Sequence, residues 1–334
     1  MTLSSRHRDD ARTDAAARPL DVLSFVTNQE ATFYKRQLRT LADFGVATRT
    51  VPVPGKSHSN SVKAGTTGTR SIFDYARFST RAFRHTLGDY DLIHANYGLT
   101  APPAIVQPRL PVVLSLWGSD LLGEYGWVTR RLVPHADAVI VMSERMAAEL
   151  DRDCYVIPHG IDLETFAPQS QTAARAALDW SGSDRHVLFP YPPKRDVKDF
   201  PRAERVVEGA RERLDGSITL HTISDVPHDE MPTYMNAADA LLLTSRREGS
   251  PNTVKEAMAC NTPIVATAVG DVPERLDGVT PSAVGRTDAE LVEGLVEVLR
   301  ADGRSNGREH ARELSLDRMG ERIRDVYDAV LDDD

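Results

Sequence analysis

The chain is poor in several things at once. Of its 334 residues only two are cysteine, Cys154 and Cys260, with no metal-ligand spacing around either. That excludes a disulfide framework and a cysteine-based zinc site, and a reducing cytosol is the expected compartment. Cys260 sits in the apolar run EAMAC and reads as core. Aromatic residues make up 6% of the chain, so aliphatic packing must carry the core implied by 41% hydrophobic content. No apolar run approaches the ~20 residues a membrane-spanning helix needs. The first eighteen residues are polar and charged, without the hydrophobic heart of a secretion signal. They read as a disordered tail.

Lysine is scarce too: six, against 34 arginines and 31 aspartates. This bias fits a GC-rich genome or a salt-adapted cytoplasm, and both readings stay open. The net charge of -9 argues against nucleic acid as a general partner, because phosphates need a positive surface.

What is present is a rhythm. Apolar strand-like runs (PLDVLSFVT, VATRTVPVP, DYDLIHANYG, PVVLSLWGSD, ADAVIVMS) alternate with helical segments, and the pattern resumes in RHVLFPY, GSITLHTIS, DALLLTS and TPIVATAVG. Such β-α alternation specifies α/β architecture with parallel sheets covered on both faces. A Gly-, Ser-, Thr- and Lys-rich stretch at 55–70 reads as a flexible loop. The length suits two domains. The expected division is a tail at 1–18, one Rossmann-like domain at 19–157, a second at 158–312, and a closing helix at 313–334 that packs back on the first. Two doubly wound domains facing each other across a cleft is the architecture these elements imply, with ligands beyond the carboxyl ends of the strands.

One stretch carries chemistry: EGSPNTVKEAMACNTPIVAT, from Glu248 to Thr267. It follows the strand DALLLTS. Pro251 suits the first turn of a helix and Ser250 the cap before it. Gly249 lets another molecule approach the backbone. The amides of Gly249, Ser250 and Asn252 lie where helix donors lack partners. Glu256 stands a turn inside the helix and leans back toward its start, while Glu248 enters from the turn. Two carboxylates around free amides suit a polyol, because carboxylates accept from hydroxyls and repel phosphate. An acid near a helix start also simply complements the dipole, for ~0.3–1 kcal/mol.

This stretch resembles the signature of retaining glycosyltransferases of the GT-B fold, the family-4 group. Glu248 and Glu256 match its acid-x7-acid spacing, and YMNAADALLLTS, VIPHGID and DLIHANYG add to the likeness over most of residues 19–330. The resemblance implies transfer of a sugar from a nucleoside diphosphate sugar to a glycan, lipid-linked or small-molecule hydroxyl, with retention at the anomeric carbon. It implies that Glu256 binds the ribose, and that Glu248 with Gly249, Ser250, Pro251, Asn252 and Thr253 holds the transferred sugar. A basic pair for the diphosphate is implied after the first strand of the second domain. Lys194, Arg195 and Lys198 stand there, and Arg195 and Lys198 are favoured. Val226 and its neighbours are expected to line the base.

On the acceptor side the resemblance points to His94, Asn96, Trp117, Gly118 and Asp120. Trp117-Gly118 stands where many relatives carry His-Gly, and Asn96 where a second histidine is frequent. The loop TNQEATF lacks the paired glycines of many relatives. No Asp-x-Asp motif stands near the site, so neither metal nor other cofactor is expected. Two alternatives are a nucleotide-sugar epimerase on the same fold and a non-catalytic nucleotide-sugar binder. Arg36, Arg39, Arg70, Arg77, Arg81 and Arg84 put positive charge on the first domain of a protein expected in the cytoplasm, and they fit either solvated helices or peripheral contact with the inner face of a membrane.

Overall fold

A computed structural model describes residues 18–55, 70–301 and 303–332. The expected tail, but for its last residue, and the interior of the loop expected at 55–70 lie outside the described residues. The chain divides into two compact units. One runs to Gly160 and includes the segment from Leu316; the other is Ile161–Ser315. The boundaries thus stand at 160 and 315, against 157 and 312 expected from sequence.

The first unit holds six parallel strands: β1 (Leu20–Val26), β2 (Val46–Pro52), β3 (Leu92–Asn96), β4 (Val112–Leu116), β5 (Ala138–Val141) and β6 (Tyr155–Val156). Their order is β2-β1-β3-β4-β5-β6. Every residue of β3, β4 and β5 is buried, as continuous apolar runs in a two-sided sheet require, whereas edge strand β2 alternates. The C-terminal helix Leu316–Asp332 belongs to this unit. It buries Met319, Ile323, Val326, Tyr327 and Val330. Arg324 fastens it by donating to the carbonyls of Phe44 (3.1 Å) and Arg18 (2.8 Å).

The second unit holds β7 (Arg185–Phe189), β8 (Ile218–Thr222), β9 (Ala240–Leu243), β10 (Ile264–Thr267) and β11 (Ser282–Gly285), all parallel, in the order β11-β10-β9-β7-β8. The first strand of each unit therefore lies inside its sheet, and the chain winds away from it in both directions. That is the doubly wound topology, and it opens a crevice outside the carboxyl ends of the strands flanking the switch.

Candidate active site

In the second unit the switch point lies between β7 and β9, and the loops leaving both strands meet there. The Thr244 hydroxyl donates to the carbonyls of Lys198 and Asp199, each at 3.0 Å. The Arg246 amide donates to Val197 at 2.9 Å. These bonds lock the β7 loop against the β9 loop. Lys198 is thereby held inside, 6% exposed, with its ammonium 3.8 Å from the centre of the Tyr191 ring and paired with the Glu248 carboxylate. Burial pulls the Lys198 ammonium down, but Tyr191 and Glu248 together outweigh it and hold the group above the ordinary lysine range. Arg195 lies with its guanidinium 5.4 Å from the same ring, while Lys194 is exposed. Tyr191 was not singled out from sequence. It joins both cations to the next segment, since its hydroxyl is 2.6 Å from the Thr253 hydroxyl.

Thr253 lies in the first turn of the helix Asn252–Ala259. Here the expected cap is corrected. Pro251, in extended conformation, occupies the cap position, and no side chain caps the helix. Ser250 sits one residue too early to reach the first-turn amides. Its hydroxyl is buried without a hydrogen-bond partner among the described residues, as are Asn252 Oδ1 and the Ser245 hydroxyl. An uncapped helix start surrounded by unpartnered polar atoms is unusual for a folded interior, and it offers a polar ligand groups to bond. The Gly249 turn is braced from behind by Gly270, whose φ is +57°. The Asp271 amide donates to the Gly249 carbonyl at 3.2 Å.

Glu256 is 4% exposed, and its Oε1 lies 2.9 Å from His228 Nε2. His228 stands in the loop between β8 and the helix Met231–Ala237, with its ring edge-on to Phe166 at 5.2 Å. Its Nδ1 is buried and has no partner among the described residues. Val226, in the same loop, packs partly buried against the core of this unit. His228 lay within the sequence run expected near the base, but nothing in the sequence tied it to Glu256.

In the first unit three of the expected acceptor-side residues, His94, Asn96 and Asp120, lie in the interior. His94 is 1% exposed, and both its ring nitrogens are engaged, by the hydroxyls of Tyr327 (2.6 Å) and Ser115 (2.7 Å). Burial drives its pKa down to about 3, so it is a neutral interior group. Asn96 is fully buried and donates to the Ser24 hydroxyl and the His94 carbonyl, while its oxygen accepts from Gln37. Both residues point into the sheet's packing because β3 is a central strand. Asp120 is also interior. It accepts from the amides of Gly98, Trp117 and Gly118, each at 2.9 Å, and so shapes the turns after β3 and β4. Burial pushes its carboxyl up to about 6 against the pull of those amides. Gly118 takes φ +112° in that turn.

Trp117 remains partly exposed outside the carboxyl end of β4, in an aromatic group the sequence did not announce. Its ring centre is 4.8 Å from Phe33, 5.6 Å from His159 and 6.0 Å from Tyr97. The indole nitrogen is buried and without a partner among the described residues. No group of three or more His, Cys, Asp or Glu side chains among the described residues is placed to hold a metal ion.

Comparison with known proteins agrees with this geometry. Residues 31–165 match the model described as Glycosyltransferase Family 4, and residues 199–301 that described as Glycosyl transferases group 1. The chain is 27% identical over 269 residues to a GDP-mannose-dependent alpha-(1-6)-phosphatidylinositol monomannoside mannosyltransferase of Mycolicibacterium smegmatis, covering 66% of this chain and 70% of that protein. It is 26% identical over 282 residues to a D-inositol 3-phosphate glycosyltransferase of Mycobacterium bovis, covering 68% of this chain and 58% of that one. Among solved structures, sucrose-phosphate synthase from Thermosynechococcus elongatus superposes with a TM-score of 0.75 at 17% identity, over 94% of this chain and 100% of that one. HepE of Anabaena, in complex with UDP-glucose, gives 0.60 at 14%, over 93% and 100%. With two such sheets, the acid-x7-acid turn at a switch point, and these matches across both units, the chain belongs to the family-4, group 1 glycosyltransferases of the GT-B fold.

Proposed function

We propose that the protein transfers a glycosyl group from a nucleoside diphosphate sugar to an acceptor hydroxyl, with retention at the anomeric carbon. The observation that carries this reading is the convergence, at one switch point, of Glu248, the uncapped start of the helix Asn252–Ala259 and Lys198. Glu256 accepts from the ribose diol. Glu248 and the turn Gly249–Thr253 hold the sugar, with the Ser250 hydroxyl and Asn252 Oδ1 as ready partners for its hydroxyls. Lys198 and Arg195 neutralise the departing diphosphate while positive charge builds on the sugar ring, the role preorganised cations fill best in a partly dehydrated site. The proton of the acceptor hydroxyl passes to a phosphate oxygen of the leaving group. No resident metal enters this scheme.

The relatives support the donor class: one is GDP-mannose-dependent and one solved structure holds UDP-glucose. A thermal-shift screen across nucleotide-sugars tests it. A donor at a hundred times its dissociation constant adds about 2.7 kcal/mol of stability, and Glu256→Ala is expected to abolish the shift. Proton NMR of the first-formed product then reads the anomeric configuration. Inversion would overturn the stereochemical part alone, and activity that vanishes in EDTA and returns with a divalent ion would overturn the metal-free part.

A lipid-linked acceptor met at a membrane surface is the partner that the first unit's surface supports. No helix among the described residues is long and apolar enough to cross a membrane. On the helix Ile72–His85, however, Phe73 (80% exposed) shares the outer face with Arg77, Arg81 and Arg84, and Leu87 follows. Trp127 is exposed beside Arg131 on another helix. Basic side chains around exposed apolar ones suit an anionic interface. Co-sedimentation with phosphatidylglycerol vesicles, but not with phosphatidylcholine vesicles, is expected, and is expected to fall in Phe73→Asp. Equal partition to both vesicle types, or none, would remove the membrane from the reading.

A further inference from the structure

We propose that His228 is the positioning residue for Glu256, fixing the carboxylate that receives the donor's ribose; this rests on the donor-binding reading above. Glu256 is nearly fully buried, and a carboxylate in that position has few hydrogen-bond donors to choose from. His228 Nε2 provides one at 2.9 Å. Because carboxylates only accept, the ring must carry its proton on Nε2. That places a donor on Oε1 and leaves Oε2 as the oxygen for a ribose hydroxyl.

The ring is itself held. It stands edge-on to Phe166, and it hangs from the short loop that joins β8 to the helix Met231–Ala237. The contact thus couples two neighbouring segments of the donor unit, 28 residues apart in sequence. A buried Nδ1 with no partner among the described residues is the cost of this arrangement. A histidine that served packing alone would gain by turning that nitrogen toward a donor. One that keeps Nε2 on Glu256 does so because that contact matters more.

The two ring nitrogens make the idea testable by isosteres. In glutamine the amide nitrogen falls near the place of Nε2, and in asparagine near that of Nδ1. With UDP-glucose and GDP-mannose as probes, His228→Ala is expected to raise the donor KM about tenfold to a hundredfold, with kcat changed by less than about threefold. His228→Gln is expected to restore most of the affinity, and His228→Asn to behave like alanine. His228→Phe keeps the ring against Phe166 without the donor nitrogen and is expected to fail as well. If His228→Phe or His228→Asn retains the wild-type KM, the ring acts by packing or through Nδ1, and the proposal falls.

A second readout needs no donor. In long-range 1H-15N spectra of the free protein, His228 is expected as the Nε2–H tautomer, with Glu256→Gln disturbing its ring signals. An Nδ1–H tautomer, or signals unmoved by Glu256→Gln, would overturn the pairing. If neither nucleotide-sugar binds the wild type while the spectra behave as expected, the pairing stands and the donor assignment is what has failed.

Discussion

Lys198 reaches the Glu248 carboxylate from beneath the ring of Tyr191, so the cation expected to face a diphosphate and the acid expected to face a sugar are bonded to each other. The two side chains are 7% and 15% exposed. The contact keeps Lys198 charged, and the pair spans the loops that leave β7 and β9. On the proposed reading, a donor entering this crevice meets a preset arrangement in which the sugar's hydroxyls and the phosphates' charge are separated by one ion pair.

The first prediction concerns that pair. Lys198→Met leaves Glu248 with its charge partly dehydrated and unmatched. Breaking a fully buried pair costs about 3–5 kcal/mol, and the partial exposure of Glu248 lowers the expectation to about 2 kcal/mol. Adding Glu248→Gln to Lys198→Met is expected to return at least about 1 kcal/mol of it, a coupling that a double-mutant cycle in urea measures directly. Turnover should not return with stability. Both the single and the double variant are expected to lose about a hundredfold or more in kcat, because the charge on the leaving group is then unmatched. Additive stability effects would show that the two side chains do not support each other.

A second prediction concerns the turn itself. A Cβ added at Gly270 would stand 2.4 Å from the Gly249 carbonyl oxygen and 3.0 Å from that of Glu248, at a backbone φ of +57°. Neither neighbour is a flexible side-chain end, so the donor turn must shift. Gly270→Ala is expected to cost about 2 kcal/mol, from the left-handed backbone and the clash together. It is also expected to weaken donor binding, since the carbonyls it displaces belong to residues proposed to hold the sugar. Gly182→Ala, with nothing within 4 Å, is the matched control and is expected to be near neutral. Calorimetric titration with the donor found by the thermal-shift screen compares the two variants. Unchanged affinity in Gly270→Ala would show that the turn tolerates displacement.

The residues legible in the sequence are those whose geometry is local. Glu248 and Glu256 belong to one strand-turn-helix segment, so their spacing alone brings them to the same end of the sheet. Arg195 and Lys198 follow a strand directly, and their position along the chain puts them at its carboxyl end. Tyr191 and His228 were not legible. Each matters through a contact with a distant segment, 62 residues away for Tyr191 with Thr253 and 28 for His228 with Glu256. His94 shows the converse. Read alone, it is a polar residue near a strand end. Its interior position comes from a central strand, and one of its two ring nitrogens is engaged by Tyr327, which arrives 233 residues later on the C-terminal helix. The Ser250 cap failed for a local reason: the proline after it took the cap position, a choice that sequence preferences leave open.

The last prediction follows from that buried histidine. Burial holds His94 down to about 3, while an unfolded histidine titrates near 6.5. Above pH 6.5 the imidazole is neutral in both states and contributes no pH dependence. As pH falls below 6.5 the unfolded chain takes up a proton that the folded chain refuses. Stability is therefore lost on acidification, at up to about 1.4 kcal/mol per pH unit for this group, until the folded state also protonates near pH 3. Asp120 acts in the opposite sense. Its carboxyl, pushed up to about 6, binds a proton in the folded state before the unfolded one does, so it adds stability as pH falls from 6 toward the ordinary aspartate value. The two effects overlap in wild type, and His94→Gln separates them. The variant is less stable than wild type at pH 7.5, because Tyr327 and Ser115 lose a shared partner. That gap is expected to narrow steadily from pH 6.5 to 4.5 as wild type alone pays the histidine's proton linkage. Urea midpoints at half-unit intervals measure it. Parallel curves for wild type and variant would mean that His94 takes up its proton in the folded protein as readily as in the unfolded chain.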